Sequence, residues 1–380
     1  MKISPLLLAT TFLSLHPTNK ANAAEKLELT GYVKPAIASR YLPEAVPADR
    51  LTFGLEESKA GLRLAGESHS NWQYHIYLYL TGESLKVLTH AIGLDTDNDG
   101  DTEKVFTRST SASRNLLRDA WAGWKPSGNF QMKFGRMAVP FTSQAQANDT
   151  ELMFPDRASP NAVFLHGRDL GGLAQFDAPA GIIEVQAGLF NGTGQGLGAS
   201  TEEGILYALR LDFNPRGAFS RSETGQKKDS FKYGFGAGLI ANPYTLYDSA
   251  GYPSTGVIDL RVTTSFRMTG NGFHFLTEAI GRYKTDTMRS RPEAALGAFG
   301  QTGWYMKSGL EPVFRFGWVV EDYTFSPRHI YWGEAGLNLY VHDSYSDQKP
   351  IRIGLHYMGE LRFTERELGH GASMQALVNF

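Results

Sequence analysis

Cysteine is absent from all 380 residues. That excludes a disulfide framework and any thiolate metal site. Long hydrophobic runs are absent too. No stretch approaches the roughly 20 apolar residues a spanning helix needs, so a helical membrane bundle is excluded. Charge of one sign is lacking: 37 basic side chains stand against 39 acidic ones. Nothing in that balance points to a nucleic-acid partner. Disorder is excluded by the same balance together with 12% aromatic residues. What the chain does have is 41 glycines, 17 tyrosines and 23 phenylalanines. This mix suits an all-β protein.

The first residues read as an export signal. Lys2 is a positive start, Ile3 to Leu15 is a short apolar stretch interrupted by Pro5, and Ala21-Asn22-Ala23 supplies small-x-small cleavage chemistry. The reading is a signal peptide at 1–23 followed by a barrel at 24–380. Removing Lys2 and Lys20 leaves a net charge of −4.

Beyond it, apolar and polar residues alternate with period two. Ile258, Leu260, Val262, Thr264 and Phe266 share one face, and Asp259, Arg261, Thr263, Ser265 and Arg267 share the other. This pattern predicts sixteen strands, at 27–41, 52–67, 72–81, 116–125, 129–136, 169–178, 181–190, 203–214, 231–241, 257–268, 273–284, 294–305, 310–320, 330–341, 350–361 and 371–380. Strand two shifts phase between Phe53/Leu55 and Leu62/Leu64, which suggests a bulge. Short connections alternate with long ones, as in transmembrane barrels, except that 215–230 is long where a short turn is due. Ala372, Met374, Ala376, Val378 and Phe380 alternate on one face up to an aromatic terminus. That ending resembles the recognition strand of bacterial outer-membrane barrels.

Hydrocarbon forbids open sheet edges, so such a sheet must close. The fold expected is an all-β, 16-stranded antiparallel transmembrane β-barrel in the bacterial outer membrane. Sixteen strands leave an aqueous channel. By strand parity Lys133, Arg210, Lys232, Arg261, Arg267, Arg282, Lys284, Arg315 and Arg352 face inward, with Asp212, Asp259, Glu278, Glu311, Glu334 and Glu360. Such charges either favour anions through the local field or pair across strands and keep the wall wet. The connection at 137–168 carries apolar anchors (Phe141, Leu152, Met153, Phe154, Val163, Phe164) that a solvated loop would not need. It reads as a constriction loop folded into the pore. Arg157 and Arg168 are candidate anion contacts within it, or partners of the neighbouring Asp156 and Asp169 that hold its shape. With Arg136 at the end of strand five, the candidate pore residues are Lys133, Arg136, Arg157, Arg168, Arg210, Arg261, Arg267, Arg282 and Arg315.

Leu117-Arg118-Asp119-Ala120-Trp121 and Phe134-Gly135-Arg136-Met137-Ala138-Val139-Pro140-Phe141 resemble segments of the phosphate-selective porins O and P. Gly167-Arg168-Asp169-Leu170-Gly171, Gly188-Leu189-Phe190-Asn191-Gly192-Thr193-Gly194, Tyr207–Pro215 and Glu311–Phe316 resemble further ones, in the family's order. The resemblance implies a homotrimeric outer-membrane channel for small hydrophilic or anionic solutes, phosphate among them. It also implies contacts with lipid and lipopolysaccharide. The dense arginine ladder of the best-known members is not matched, because the 137–168 loop has two arginines and no lysine.

No cofactor is expected. Asp95, Asp97, Asp99 and Asp101 lie in D-x-D-x-D-G, the first half of a calcium loop that lacks its twelfth-position glutamate. They form either a weak calcium site in an outside loop or a solvated acidic turn. An adhesive or structural barrel with such a loop is the alternative to a channel. An enzymatic barrel needs an activated nucleophile, and no pattern ties His75, His274 or His356 to a serine.

Overall fold

The computed structural model describes residues 26–41, 51–54, 58–68, 71–81, 88–94, 104–110, 116–192, 203–218, 220–224, 230–247, 253–286, 292–321, 327–341, 351–362 and 367–379. The expected signal at 1–23, the acidic run at 95–103 and Phe380 lie outside them.

Sixteen strands form one antiparallel sheet. They are β1 (Lys26–Lys34 and Ala36–Tyr41), β2 (Leu51–Gly54 and Lys59–Glu67), β3 (Trp72–Thr81), β4 (Leu117–Ser127), β5 (Phe130–Ala138), β6 (Arg168–Asp177), β7 (Ile183–Phe190), β8 (Glu203–Gly204 and Leu206–Phe213), β9 (Lys232–Tyr247), β10 (Pro253–Gly270), β11 (Phe273–Asp286), β12 (Glu293–Trp304), β13 (Leu310–Glu321), β14 (Arg328–Val341), β15 (Ile351–Arg362) and β16 (Glu367–Asn379). The sheet closes because β16 pairs back onto both halves of β1, with Val33 opposite Val378 and Ala38 opposite Ser373. Closure leaves no edge for hydrocarbon to punish.

The expected bulge in strand two is present. From the pair Ala38–Gly54 to the pair Lys34–Lys59, β1 advances four residues and β2 five. One extra residue on β2 flips its later side chains to the other face. The turn between β10 and β11 is Asn271-Gly272, with φ of 52° and 85°. Two positive φ values make the tight hairpin turn that asparagine and glycine favour.

The alternation means what the sequence implied. Val262 on the outer face of β10 is 53% exposed, and its inward neighbours Thr263 and Ser265 are buried. No described helix is long and apolar enough to cross a membrane.

Three expectations need correction. Strands β9 and β10 extend well past the predicted 241 and begin before the predicted 257. Outside the bilayer no lipid face has to be apolar, so the pattern fades while the hydrogen-bond ladder continues. The 82–115 connection is not a plain loop, because Leu88–Leu94 and Lys104–Thr110 pair as a hairpin. Finally, the lumen face is not uniformly polar. Leu276, Ile280, Phe299, Val319 and Trp332 are buried inward, in one cluster with Phe141 and Phe164. They receive the loop that crosses the bore.

Candidate functional site: the constricted lumen

The segment 139–167 leaves β5, lies inside the barrel and returns at β6. It contains two short helices, α1 (Ser143–Gln146) and α2 (Ser159–Phe164). Thr142 caps α1, accepting from Ala145 N at 3.0 Å. Phe141, Leu152, Met153, Phe154 and Phe164 are all 0–1% exposed. These apolar anchors hold the loop, and the walls supply polar clamps.

The clamps are wall cations aimed at loop carbonyls. Arg210 reaches the Phe141 carbonyl and donates to Ser143 Oγ at 2.7 Å. Arg261 donates to Phe164 O (2.7 Å), Arg315 to Asp156 O (3.0 Å), Arg352 to Leu152 O (2.5 Å) and Lys34 to Pro155 O (2.5 Å). Glu278 accepts from Ser143 N at 2.7 Å. Carbonyls in a bend cannot pair with each other, so charged donors satisfy them, and such bonds exceed neutral ones in strength.

Gln144 ties the assembly together. It is 0% exposed. Its Oε1 accepts from Ala158 N and Asn161 Nδ2, and its Nε2 donates to Glu223 Oε1 at 2.9 Å. Glu223 belongs to the long connection between β8 and β9, the one that broke the length rule. Its other carboxylate oxygen accepts from Met153 N at 3.0 Å, and its own N–H donates to Glu151 O. Arg221 in the same segment binds Glu184 at 2.5 Å. That connection is long because it turns up into the bore and braces the loop.

Asp149 faces the other wall. Arg118 binds both of its oxygens, and Arg157 binds one at 2.8 Å. Burial alone would push the Asp149 carboxyl up, yet Arg118, Arg157 and Lys59 hold it well below the ordinary carboxylate value. Asp156 likewise sits below its usual range despite burial, through Lys59 and Lys34.

The candidate pore residues divide. Arg210 pairs with Asp212 (2.6 Å), Arg261 and Arg282 with Asp259 (2.7 Å each) and Arg315 with Glu334 (2.6 Å). Arg168 pairs with Asp119 at 2.8 Å. Arg157 curls within its own loop, also donating to Gln144 O and Ala147 O. Arg267 is buried on the inward face of β10. Arg136 stands opposite Ala120 and Leu170 in the register, with its Nε on the Arg118 carbonyl. It is buried, with the carboxylates of Asp119 and Asp169 nearby. Lys133 lies 5.0 Å from the Trp121 ring, and Arg63, not foreseen, lies 4.5 Å from Tyr77. Among the described residues neither has a carboxylate within ion-pair distance. Lys34, Lys59, Arg63, Arg118 and Asp149 were missed as a group. Inward parity on β1 and β2 was the signal available for the first three. The calcium candidates Asp95, Asp97, Asp99 and Asp101 lie outside the described residues, and no metal-binding group occurs among the described ones.

The loop seats against a bare stretch of wall at Gly238. A Cβ there would stand 2.5 Å from the Phe141 carbonyl oxygen. Gly238→Val is therefore expected to push the start of the loop off β9 at a cost of about 1–3 kcal/mol. It should shift the single-channel conductance while the folded barrel keeps its gel mobility.

Residues 74–226 match the family described as phosphate-selective porin O and P. No curated protein matches the chain. Among solved structures it is similar to an anion-selective porin from Comamonas acidovorans, at 12% identity and TM-score 0.58 over 94% of this chain and 100% of that one. It is similar to OmpF of Salmonella typhi in complex with daunomycin, at 10% identity and TM-score 0.57 over 94% and 98%. In-vitro folded OmpT of Vibrio cholerae, in its trimer form, matches at 10% identity and TM-score 0.55 over 94% and 100%. The chain thus has the closed sixteen-stranded fold of these outer-membrane porins, and its residues 74–226 carry the pattern of the phosphate-selective porin O and P family.

Proposed function

We propose that the chain forms a passive diffusion channel for small hydrophilic solutes that prefers anions. The observation that carries this reading is a charge asymmetry across the constricted bore. On the β8–β13 side of the bore, Arg210, Arg261, Arg282 and Arg315 are each neutralised by a carboxylate at 2.6–2.7 Å. On the β2–β5 side, Lys133 and Arg63 rest on aromatic rings with no carboxylate in ion-pair range among the described residues, and Arg63 also donates to Asn148 of the loop at 3.0 Å. A solute passing between loop and wall meets that positive field, which raises the local anion concentration. The family pattern and the anion-selective relative in fold agree with it.

Assembly as a homotrimer, set in lipid and lipopolysaccharide through the exposed apolar belt, belongs to the same proposal. The reading is of a channel and not a catalyst. His75 stacks flat on Trp121 at 5.4 Å and 4°, which is packing rather than a base beside a nucleophile.

Planar-bilayer recording tests it. Stepwise current in potassium chloride is expected, with a reversal potential on the anion side in a salt gradient. Lys133→Gln combined with Arg63→Ser should lower the anion-to-cation ratio. A silent folded barrel, or cation selectivity in the parent protein, would refute the reading.

A further inference from the structure

We propose that a small oxyanion of the sulfate or phosphate class binds behind segment 152–155 of the loop, at the seam where β14, β15, β16 and β1 meet. This site does not use Lys133 or Arg63, and it stands independently of the channel's selectivity.

Arg352 carries the argument. Its guanidinium cannot lose its charge in a protein. The residue is 2% exposed, and no carboxylate among the described residues lies within ion-pair distance. One nitrogen, Nη1, donates to Leu152 O at 2.5 Å. The other edge, Nε with Nη2, is buried and has no hydrogen-bond partner. A buried charge left uncompensated is costly. The side-on Nε–Nη2 edge presents two parallel N–H groups, spaced to meet two oxygens of one oxyanion.

The neighbours fit the same ligand. Register places Arg352 beside Leu377 and Tyr340, and Gly354 beside Asn338 and Gln375. Lys34, 0% exposed, reaches in from β1 and spends one donor on Pro155 O. It too has no carboxylate in ion-pair range among the described residues. His356 and Gln375 are 4% and 2% exposed, and neither side chain has a hydrogen-bond partner on either of its polar atoms. Three side chains converge over Gly354. A Cβ placed there would lie 2.5 Å from His356 Cε1, 2.8 Å from Asn338 Oδ1 and 3.2 Å from Gln375 Nε2. Glu311, the acid of this corner, accepts from Tyr340 Oη at 2.6 Å and Asn338 Nδ2 at 3.2 Å. A cavity of about 160 Å³ adjoins the cluster at His356, and Pro155, Arg157, Arg315 and the carboxylates of Asp156 and Glu334 also line it. The fixed charge of Arg352 with its free Nε–Nη2 edge, the Lys34 amine, an amide and an imidazole thus lie together behind the loop.

The oxyanion would be a resident of the loop's anchorage. Lys34, Asn338 and Arg352 hold the carbonyls of Pro155, Met153 and Leu152, and an anion between them would stiffen that stretch from behind.

The test melts the purified, detergent-folded full chain in sulfate, phosphate or chloride at equal ionic strength, following β-sheet circular dichroism. Sulfate or phosphate is expected to raise the midpoint by a few degrees over chloride. Arg352→Gln and Gln375→Leu should each remove that increment, and Lys133→Gln with Arg63→Ser should keep it. If Arg352→Gln does not fold, Gln375→Leu decides alone. An increment no greater than in chloride, as ordered water alone would give, overturns the proposal. So does an increment that survives Gln375→Leu or disappears with the lumen pair.

Discussion

Excising residues 143–164, with a short glycine–serine bridge from Thr142 to Leu165, is expected to raise single-channel conductance severalfold and to leave a folded barrel. A sixteen-stranded wall encloses a wide aqueous bore, and this segment is what narrows it. The barrel should survive because most clamps on its wall keep their own carboxylates, and Arg118 and Lys59, which lose Asp149 and Asp156, face water in the widened bore. Arg210 keeps Asp212, Arg261 and Arg282 keep Asp259, and Arg315 keeps Glu334. Glu278 and Asn338 lose loop partners and gain water. Leu276, Ile280 and Phe299 lose their apolar cover, so a lower melting point should accompany the wider pore. Conductance unchanged from the parent would mean that the loop does not define the narrow section.

Asp149→Ala is expected to have the second largest effect. The carboxylate sits between Arg118 and Arg157, itself 3% exposed. Its removal strands two guanidiniums, and breaking a buried pair costs roughly 3–5 kcal/mol. The lower end applies, because Arg157 keeps 17% exposure and can find water. The variant should therefore melt earlier and select anions more strongly, which reversal potentials would report. Acid should act differently from mutation. A carboxyl held below its ordinary range gives stability that is whole above its unfolded-state value and is lost only as pH falls through the lower folded-state one. The parent channel should thus hold its conductance steady from neutral pH down to the ordinary carboxylate range and change only in stronger acid. A change between pH 7 and 5 would mean that a group other than Asp149 controls the loop.

Strand order, parity and the inserted loop could be read from the chain because each depends on neighbours in sequence. Ile258 to Met268 declares its two faces within eleven residues, and Phe141 with Phe164 declares that the loop is not solvated. The extra residue in β2 was visible as a change of phase. Partnership could not be read in the same way. Arg352 meets Leu152, and Glu223 meets Gln144, across 200 and 79 positions, and nothing local marks either contact. For the same reason inward parity alone could not tell an arginine that clamps a carbonyl from one that greets a solute. Lys133 proved unpaired and Arg315 fully engaged, although both sit on the same kind of strand position.

The barrel's wall is uneven in height. On β10 it runs for 18 residues and on β9 for 16, whereas β3 has 10 and β7 has 8. A tilted strand needs about 9–11 residues to cross the bilayer. The tight Asn271-Gly272 turn fixes the lower end of β10, so its surplus rises on the far side. At ~3.3 Å per residue and a tilt near 45°, some seven spare residues stand about 15 Å proud of the membrane. The β9–β10 flank is consequently a parapet, above Arg261 and the Asp259 that holds it, so a molecule arriving from that side meets a raised wall before it meets the bore.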